Sequence, residues 1–257
     1  MASFNTWCTM SDDKVGAHDL HLLEADAANL QAAVDAISVV LPGHYASPER
    51  VAHALERLGK AEAAAMIRRK LPTTSKLRSG ELGEILATEW IVAQGDFNVP
   101  IRKLRWKDHR NMAMRGDDVL GFATDEGTGE LLILKAEAKS RSVLRADVVA
   151  EAREALDRDD GRPSPHSLSF VADRLFETGQ LDLADAIDAL HEKGVPLRTV
   201  RHMVFALTGN SPGPHLSASL AAYLGPIAQR CVGLCVPNHG DFICAVFDLV
   251  MADADDR

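Results

Sequence analysis

Two hydrophobic periods run along this chain, and the change between them falls near residue 75. Before it the spacing is helical. Leu30, Val34, Ile37 and Leu41 recur every three or four residues within 23–41, and Pro42-Gly43 ends the run. Ser47-Pro48-Glu49 opens a second helix, with Ser47 as N-cap and Pro48 in the first turn. Val51, Ala54, Leu55 and Leu58 form its apolar stripe, Gly59 breaks it, and another piece runs to about Lys70. The first 70 residues therefore read as helical, and Pro72-Thr73-Thr74-Ser75 reads as a junction. This predicts an N-terminal helical region over 1–74 and a second domain over 75–257.

Beyond the junction the pattern is α/β. Ser79 is a candidate cap for a helix running to Gln94 and closed by Gly95. An extended stretch is expected near 99–107, and a short apolar strand at DDVLGF, 117–122. The turn-rich TDEGTGE separates it from LLILKAEA, so 118–138 reads as a hairpin. Helices are predicted near 147–156, 169–177 and 181–193. VRHMVFALTG then reads as a strand, PHLSASLAAYLGPIAQRC as a helix, and VGLCVP with DFICAVFDLV as a final strand pair, followed by a frayed tail ADADDR.

Composition is that of an ordinary globular protein, 46% hydrophobic and 25% charged. No run approaches the roughly 20 apolar residues of a membrane span. The first residues lack a basic head followed by an apolar core, so no signal peptide is indicated and a cytoplasmic location is expected. Cys8, Cys231, Cys235 and Cys244 form no paired C-x-x-C units and are expected to be reduced and buried.

The net charge of −9 is unevenly spread: −5 over 1–65, +4 over 66–145 and −8 over 146–257. Two basic clusters stand in the positive section. One holds Arg68, Arg69, Lys70, Lys76 and Arg78; the other holds Arg102, Lys103, Arg105, Lys107, Arg110 and Arg115. Local field rather than total charge decides contact with phosphate, so both are candidate DNA contacts, as is Arg141. Aromatics are only 5% of the chain, and Trp90 and Trp106 are expected in the core, which leaves little material for stacking on bases.

LILKAEAK, 132–139, begins as a buried strand and ends with Lys135, Glu137 and Lys139 on one face. Unpaired buried charge is costly, so this face must meet water, a partner or a metal. Glu81 and Glu84 are neighbours on a helix surface, and Asp117 and Asp118 open the first strand of the hairpin. The hairpin brings an Asp towards Glu137. Hard oxygen ligands of this kind select Mg²⁺ or Mn²⁺, while Lys139 can orient an attacking water or offset charge on a phosphate. From spacing alone, Asp117 and Asp118 are equal candidates, as are Glu81 and Glu84.

The order of these features resembles the PD-(D/E)XK nuclease superfamily: helix Glu, Asp on a strand, then (D/E)-x-K on the next. GELGEILATEWI, RGDDVLGF and LKAEAKSRS carry the resemblance, with Gly116-Asp117 where that family's name has Pro. Together with HSLSFVADRLFETGQLDLADAI, they also resemble the nuclease subunit family (HamA) of the Hachiman anti-phage defence system. The resemblance implies a restriction-endonuclease-like mixed β-sheet core flanked by helices, and a Mg²⁺-dependent DNase held and activated by a helicase subunit (HamB-like). It implies Asp118, Glu137 and the backbone carbonyl of Ala138 as metal ligands, Lys139 as the catalytic lysine and Glu84 as the helix acid. A degenerate DNA-binding subunit, or a restriction or repair nuclease without a helicase, are the alternatives.

Overall fold

The computed structural model describes residues 2–256. Its centre is a six-stranded mixed sheet in the order β1-β2-β6-β5-β4-β3. The strands are β1 (Cys8–Val15), β2 (His18–Ala25), β3 (Val119–Thr124), β4 (Leu131–Arg141), β5 (Val200–Thr208) and β6 (Ala228–Cys235). The hairpins β1–β2 and β3–β4 are antiparallel, whereas β2, β6, β5 and β4 run parallel. Such parallel neighbours need crossovers, supplied here by helices on both faces.

The helices are α1 (Leu30–Tyr45), α2 (Pro48–Leu58), α3 (Lys60–Lys70), α4 (Ser75–Gln94), α5 (Ala146–Asp157), α6 (Pro165–Glu177), α7 (Leu181–Lys193), α8 (Gly213–Ala222) and α9 (His239–Asp256). The period-two alternation of β5 assigns them to layers. Met203, Phe205 and Leu207 pack in the cluster of α1, α4 and α9. Val204 and Ala206 face α5 and α8. At the β3 end, Leu120, Phe122 and Ile133 pack against α6 and α7. Helix α4 is buried on nearly all sides from Glu81 to Ile91, as a helix enclosed by a core must be.

Several expectations are corrected. Residues 8–25 are a hairpin, and β2 pairs with β6, so the N-terminal region is not wholly helical. DFICAVFDLV is part of α9: Phe242, Ile243, Val246, Phe247 and Val250 are buried, a helical stripe that its β-branched content had masked. That helix runs through Asp256, over the tail expected to fray; Arg257 lies outside the described residues. Helix α8 stops at Ala222, and Ala228–Cys231 already belong to β6. Finally, α4 starts four residues before Ser79, capped by Thr74, whose Oγ1 accepts from the Leu77 N–H. Of the cysteines only Cys231 is fully buried, and Cys244 is exposed.

Candidate active site

The sequence-predicted acids come together where β3 begins. Strand β3 pairs with β4 only from Val119 opposite Ala136, leaving the end of β4 open on that side. Asp118 takes up this place: its Oδ2 accepts the Ala138 N–H at 2.9 Å, so the Asp is bonded to the residue between Glu137 and Lys139. Helix α4 approaches the same strand at Gly83, where a Cβ would lie 3.5 Å from that of Ser140 and 3.8 Å from that of Ala138. A small residue permits this approach and brings Glu84 beside the strand end.

Two lysines lie among these carboxylates. Lys139 Nζ donates to Glu137 Oε1 at 2.6 Å. Lys103, in a 3-10 turn over Lys103–Trp106, lies 3.3 Å from Glu84 Oε2 and 3.7 Å from Asp118 Oδ1, and donates to the Asp117 carbonyl at 2.9 Å. Burial raises the Glu84 carboxyl to about 8, with Lys103 opposing and the Asp118 charge adding to the rise. Burial, then the charge of Asp118, raises Glu137 as well, against Lys139 and Lys103. Desolvation disfavours Lys103's charge, but Glu84 and Asp118 outweigh it and hold its pKa above the ordinary lysine value.

The neighbouring acids are tied elsewhere. Asp117 Oδ2 accepts the Ser164 N–H at 2.8 Å, its own N–H donates to Ser167 Oγ at 2.8 Å, and Oδ1 lies 3.6 Å from Lys135. Lys135 is buried and donates to the carbonyls of Leu156, Arg158 and Arg162. Glu81 accepts from the Tyr45 hydroxyl at 2.6 Å and from Lys107. The geometry thus separates Asp118 and Glu84, which share Lys103, from Asp117 and Glu81, which stitch elements together.

The donor set suits a hard cation. Asp118 and Glu137 offer carboxylate oxygens, and Glu84 Oε2 is buried without a hydrogen bond, its ion pair with Lys103 aside. A residue's N–H and C=O leave an extended strand on the same edge, so the Ala138 carbonyl opens beside Asp118. Among the described residues, however, no three His, Cys, Asp or Glu side chains converge closely enough to hold a metal as they stand. The lysine ammoniums supply the positive charge in this arrangement.

The basic residues divide in the same way. Lys76, Arg110, Arg115 and Arg141 are exposed, as is Arg69, which faces Glu62 at 3.8 Å. Arg78 instead binds α9: it donates to Asp248 and to the Pro72 carbonyl, and stacks 5.3 Å from the Phe247 ring. Arg105 donates to the Gly43 carbonyl, Arg102 lies 3.6 Å from Glu89, and Lys107 is taken up by Glu81. Arg68 is partly buried in α3.

A cleft of about 580 Å³ opens beside Asp118 and Glu84. Glu137 and Lys139 do not line it, so the cleft meets the acid cluster from the Asp118 side. Its wall includes Trp106, Phe170 and Arg174, none of which the sequence singled out as functional. Trp90 is in the core as expected, but Trp106 is only partly buried. The spacing of Phe170 and Arg174, four apart on α6, is that of any amphipathic helix.

A mixed α/β protein with an acid–lysine centre at the start of an edge strand is what fold and site define. The sequence profile of the HamA family matches residues 1–250, and the chain belongs to that family. The Hachiman protein HamA of Bacillus cereus is 28% identical over 212 residues, covering 72% of this chain and 75% of the relative. No helix among the described residues is long and apolar enough to cross a membrane.

Proposed function

We propose that this chain is the nuclease subunit of a Hachiman defence system, a DNase of restriction-endonuclease-like, PD-(D/E)XK type that hydrolyses phosphodiester bonds of invading DNA. The observation that carries this reading is the 2.9 Å hydrogen bond from the Ala138 N–H to Asp118, which joins the strand Asp to the Glu-x-Lys segment. Gly83 lets α4 pack closely on β4 beside Ala138 and Ser140, which brings Glu84 to the same strand end. Membership of the HamA family and a relative named for the Hachiman system supply the biological setting.

Asp118, Glu137 and the Ala138 carbonyl would hold Mg²⁺ or Mn²⁺, which would polarise the phosphodiester and lower the pKa of the attacking water. Lys139, held 2.6 Å from Glu137, orients that water and offsets negative charge as it grows on the phosphate. Glu84, 3.3 Å from Lys103, would be the helix acid that orients a bound water or a second ion. The exposed Lys76, Arg110, Arg115 and Arg141 are the backbone contacts. A HamB-like helicase is the partner that restrains and licenses the subunit, since an unregulated DNase would attack its host; the acidic segments at either end of the sequence are candidate docking surfaces.

The test is a cleavage assay on the subunit co-purified with its helicase, with plasmid, linear and single-stranded DNA side by side and Mg²⁺ present. Glu137→Ala and Lys139→Ala should abolish cutting while leaving the melting temperature and partner binding near wild type. Unchanged cleavage by Lys139→Ala would sink the assignment.

A further inference from the structure

The wall of the cleft beside Asp118 is built differently from a phosphate-binding surface. Trp106 and Phe170 meet edge to face, with ring centroids 6.1 Å apart. The Arg174 guanidinium lies 5.5 Å from the Phe170 centroid and 6.0 Å from that of Trp106. It pairs with Glu177, yet its Nε is buried and has no acceptor. Met112 and Met114 complete an apolar flank. Aromatic rings with a guanidinium stacked beside them fit a planar heteroaromatic ring.

Two local geometries aim this wall at the acid cluster. Residues three apart eclipse in a 3-10 turn, so Trp106 lies on the same side as Lys103, which reaches Glu84 and Asp118. His166, Phe170 and Arg174 are successive i, i+4 positions of α6, forming one stripe along the cleft. The first turn of α6 is bound to Asp117 through Ser164 and Ser167. The stripe is therefore fixed to the residue next to Asp118. At about 580 Å³ the cleft falls within the roughly 300–1,000 Å³ of typical small-ligand sites, enough for one nucleotide.

We propose that this cleft is a nucleobase subsite: Trp106, Phe170 and Arg174 hold one unstacked base of single-stranded or unwound DNA while the adjoining phosphodiester lies at Asp118. The inference rests on the nuclease reading and adds to it a substrate form, since a base inside an intact duplex cannot enter. Unwinding by a partner would then supply the substrate and not merely lift a restraint. Base–aromatic stacking of this kind tolerates any sequence.

Binding can be read without cutting. Trp7 and Trp90 are each only 2% exposed, which leaves Trp106 as the tryptophan a ligand can quench. With EDTA present, titrating the full chain with a dodecamer of thymidylate should quench fluorescence saturably, whereas a blunt duplex of equal length should not. By anisotropy of the labelled dodecamer, Trp106→Ala or Phe170→Ala should weaken binding about tenfold, with Trp106→Phe largely restoring it. Melting curves establish that each variant is folded, and Phe170→Ala stands in should Trp106→Ala fail. No quenching, equal quenching by duplex, or wild-type affinity in folded Phe170→Ala would overturn the subsite. A chain that binds the dodecamer but never cuts DNA with its partner and Mg²⁺ would overturn the nuclease reading alone.

Discussion

Lys135 and Lys139 stand four residues apart on one face of β4, yet their surroundings make them different groups. Lys139 is partly exposed with one acidic partner, whereas Lys135 is buried among three carbonyls and Asp117. Lys135→Met leaves three buried carbonyls without their donor and takes from Asp117 the ammonium 3.6 Å from its Oδ1. The expected cost is about 3 kcal/mol or more of folding stability, read as a lowered urea midpoint. The sequence raised the question of Lys135 without answering it, because its acceptors are backbone carbonyls of a loop that no side-chain pattern announces. His202 is a second buried group with a measurable signature. Its Nε2–H donates to the Gly161 carbonyl at 2.7 Å, and burial lowers its pKa to about 4 from an ordinary value near 6.5. The unfolded chain binds the proton more readily between those values, so the contribution is intact above about pH 6.5 and is lost as pH falls towards 4. The loss amounts to ~3 kcal/mol at most. His202→Gln, which keeps a donor and does not titrate, should flatten the dependence of melting temperature on pH across that window.

At the scale of elements, glycines in left-handed backbone separate those that only turn the chain from those that also make room. Gly16, at φ +62, begins the two-residue loop of the β1–β2 hairpin and has open space where a Cβ would stand. Gly116, at φ +86, precedes Asp117, and a Cβ there would lie 2.3 Å from Ser167 Oγ, the group that anchors the Asp117 N–H. Gly16→Ala should therefore cost about 1 kcal/mol, and Gly116→Ala at least twice that, because it also dislodges Ser167. On the proposed function, Gly116→Ala should lower cleavage well beyond what its melting temperature explains, while Gly16→Ala leaves cleavage unchanged. The β3–β4 hairpin, α4 and β5 were legible in the sequence because each contains a long apolar run bounded by turn or cap residues. The β1–β2 hairpin was not: β1 has both faces exposed and so shows no alternation of apolar residues. Its one signal was Gly16 at the turn. In α9, β-branched and aromatic residues suggested a strand, although their spacing is helical; tertiary packing against α1 and α4 decided the matter.

Over the whole molecule, the meeting of Asp118 with the Glu137–Lys139 segment was legible because the hairpin register alone brings them together. The basic surface was legible only in part, since a sequence counts charges without showing which are spent on the fold. Arg78, Arg102, Arg105 and Lys107 bind carboxylates or carbonyls of the protein, whereas Lys76, Arg110 and Arg115 point into solvent. If the chain grips DNA as proposed, the two groups must fail differently when cut back. Each phosphate contact releases counterions, so Arg110→Ala or Arg115→Ala should reduce the slope of log K against log salt by about 1, at unchanged stability. Arg78→Ala should do the reverse: it frees Asp248 and loses the stacking on Phe247, lowering the melting temperature with the salt slope intact. Measuring both quantities for the three variants, with a fixed oligonucleotide and EDTA to prevent cutting, separates them. Equal slopes for Arg110→Ala, Arg115→Ala and the parent would mean that DNA does not cross this face.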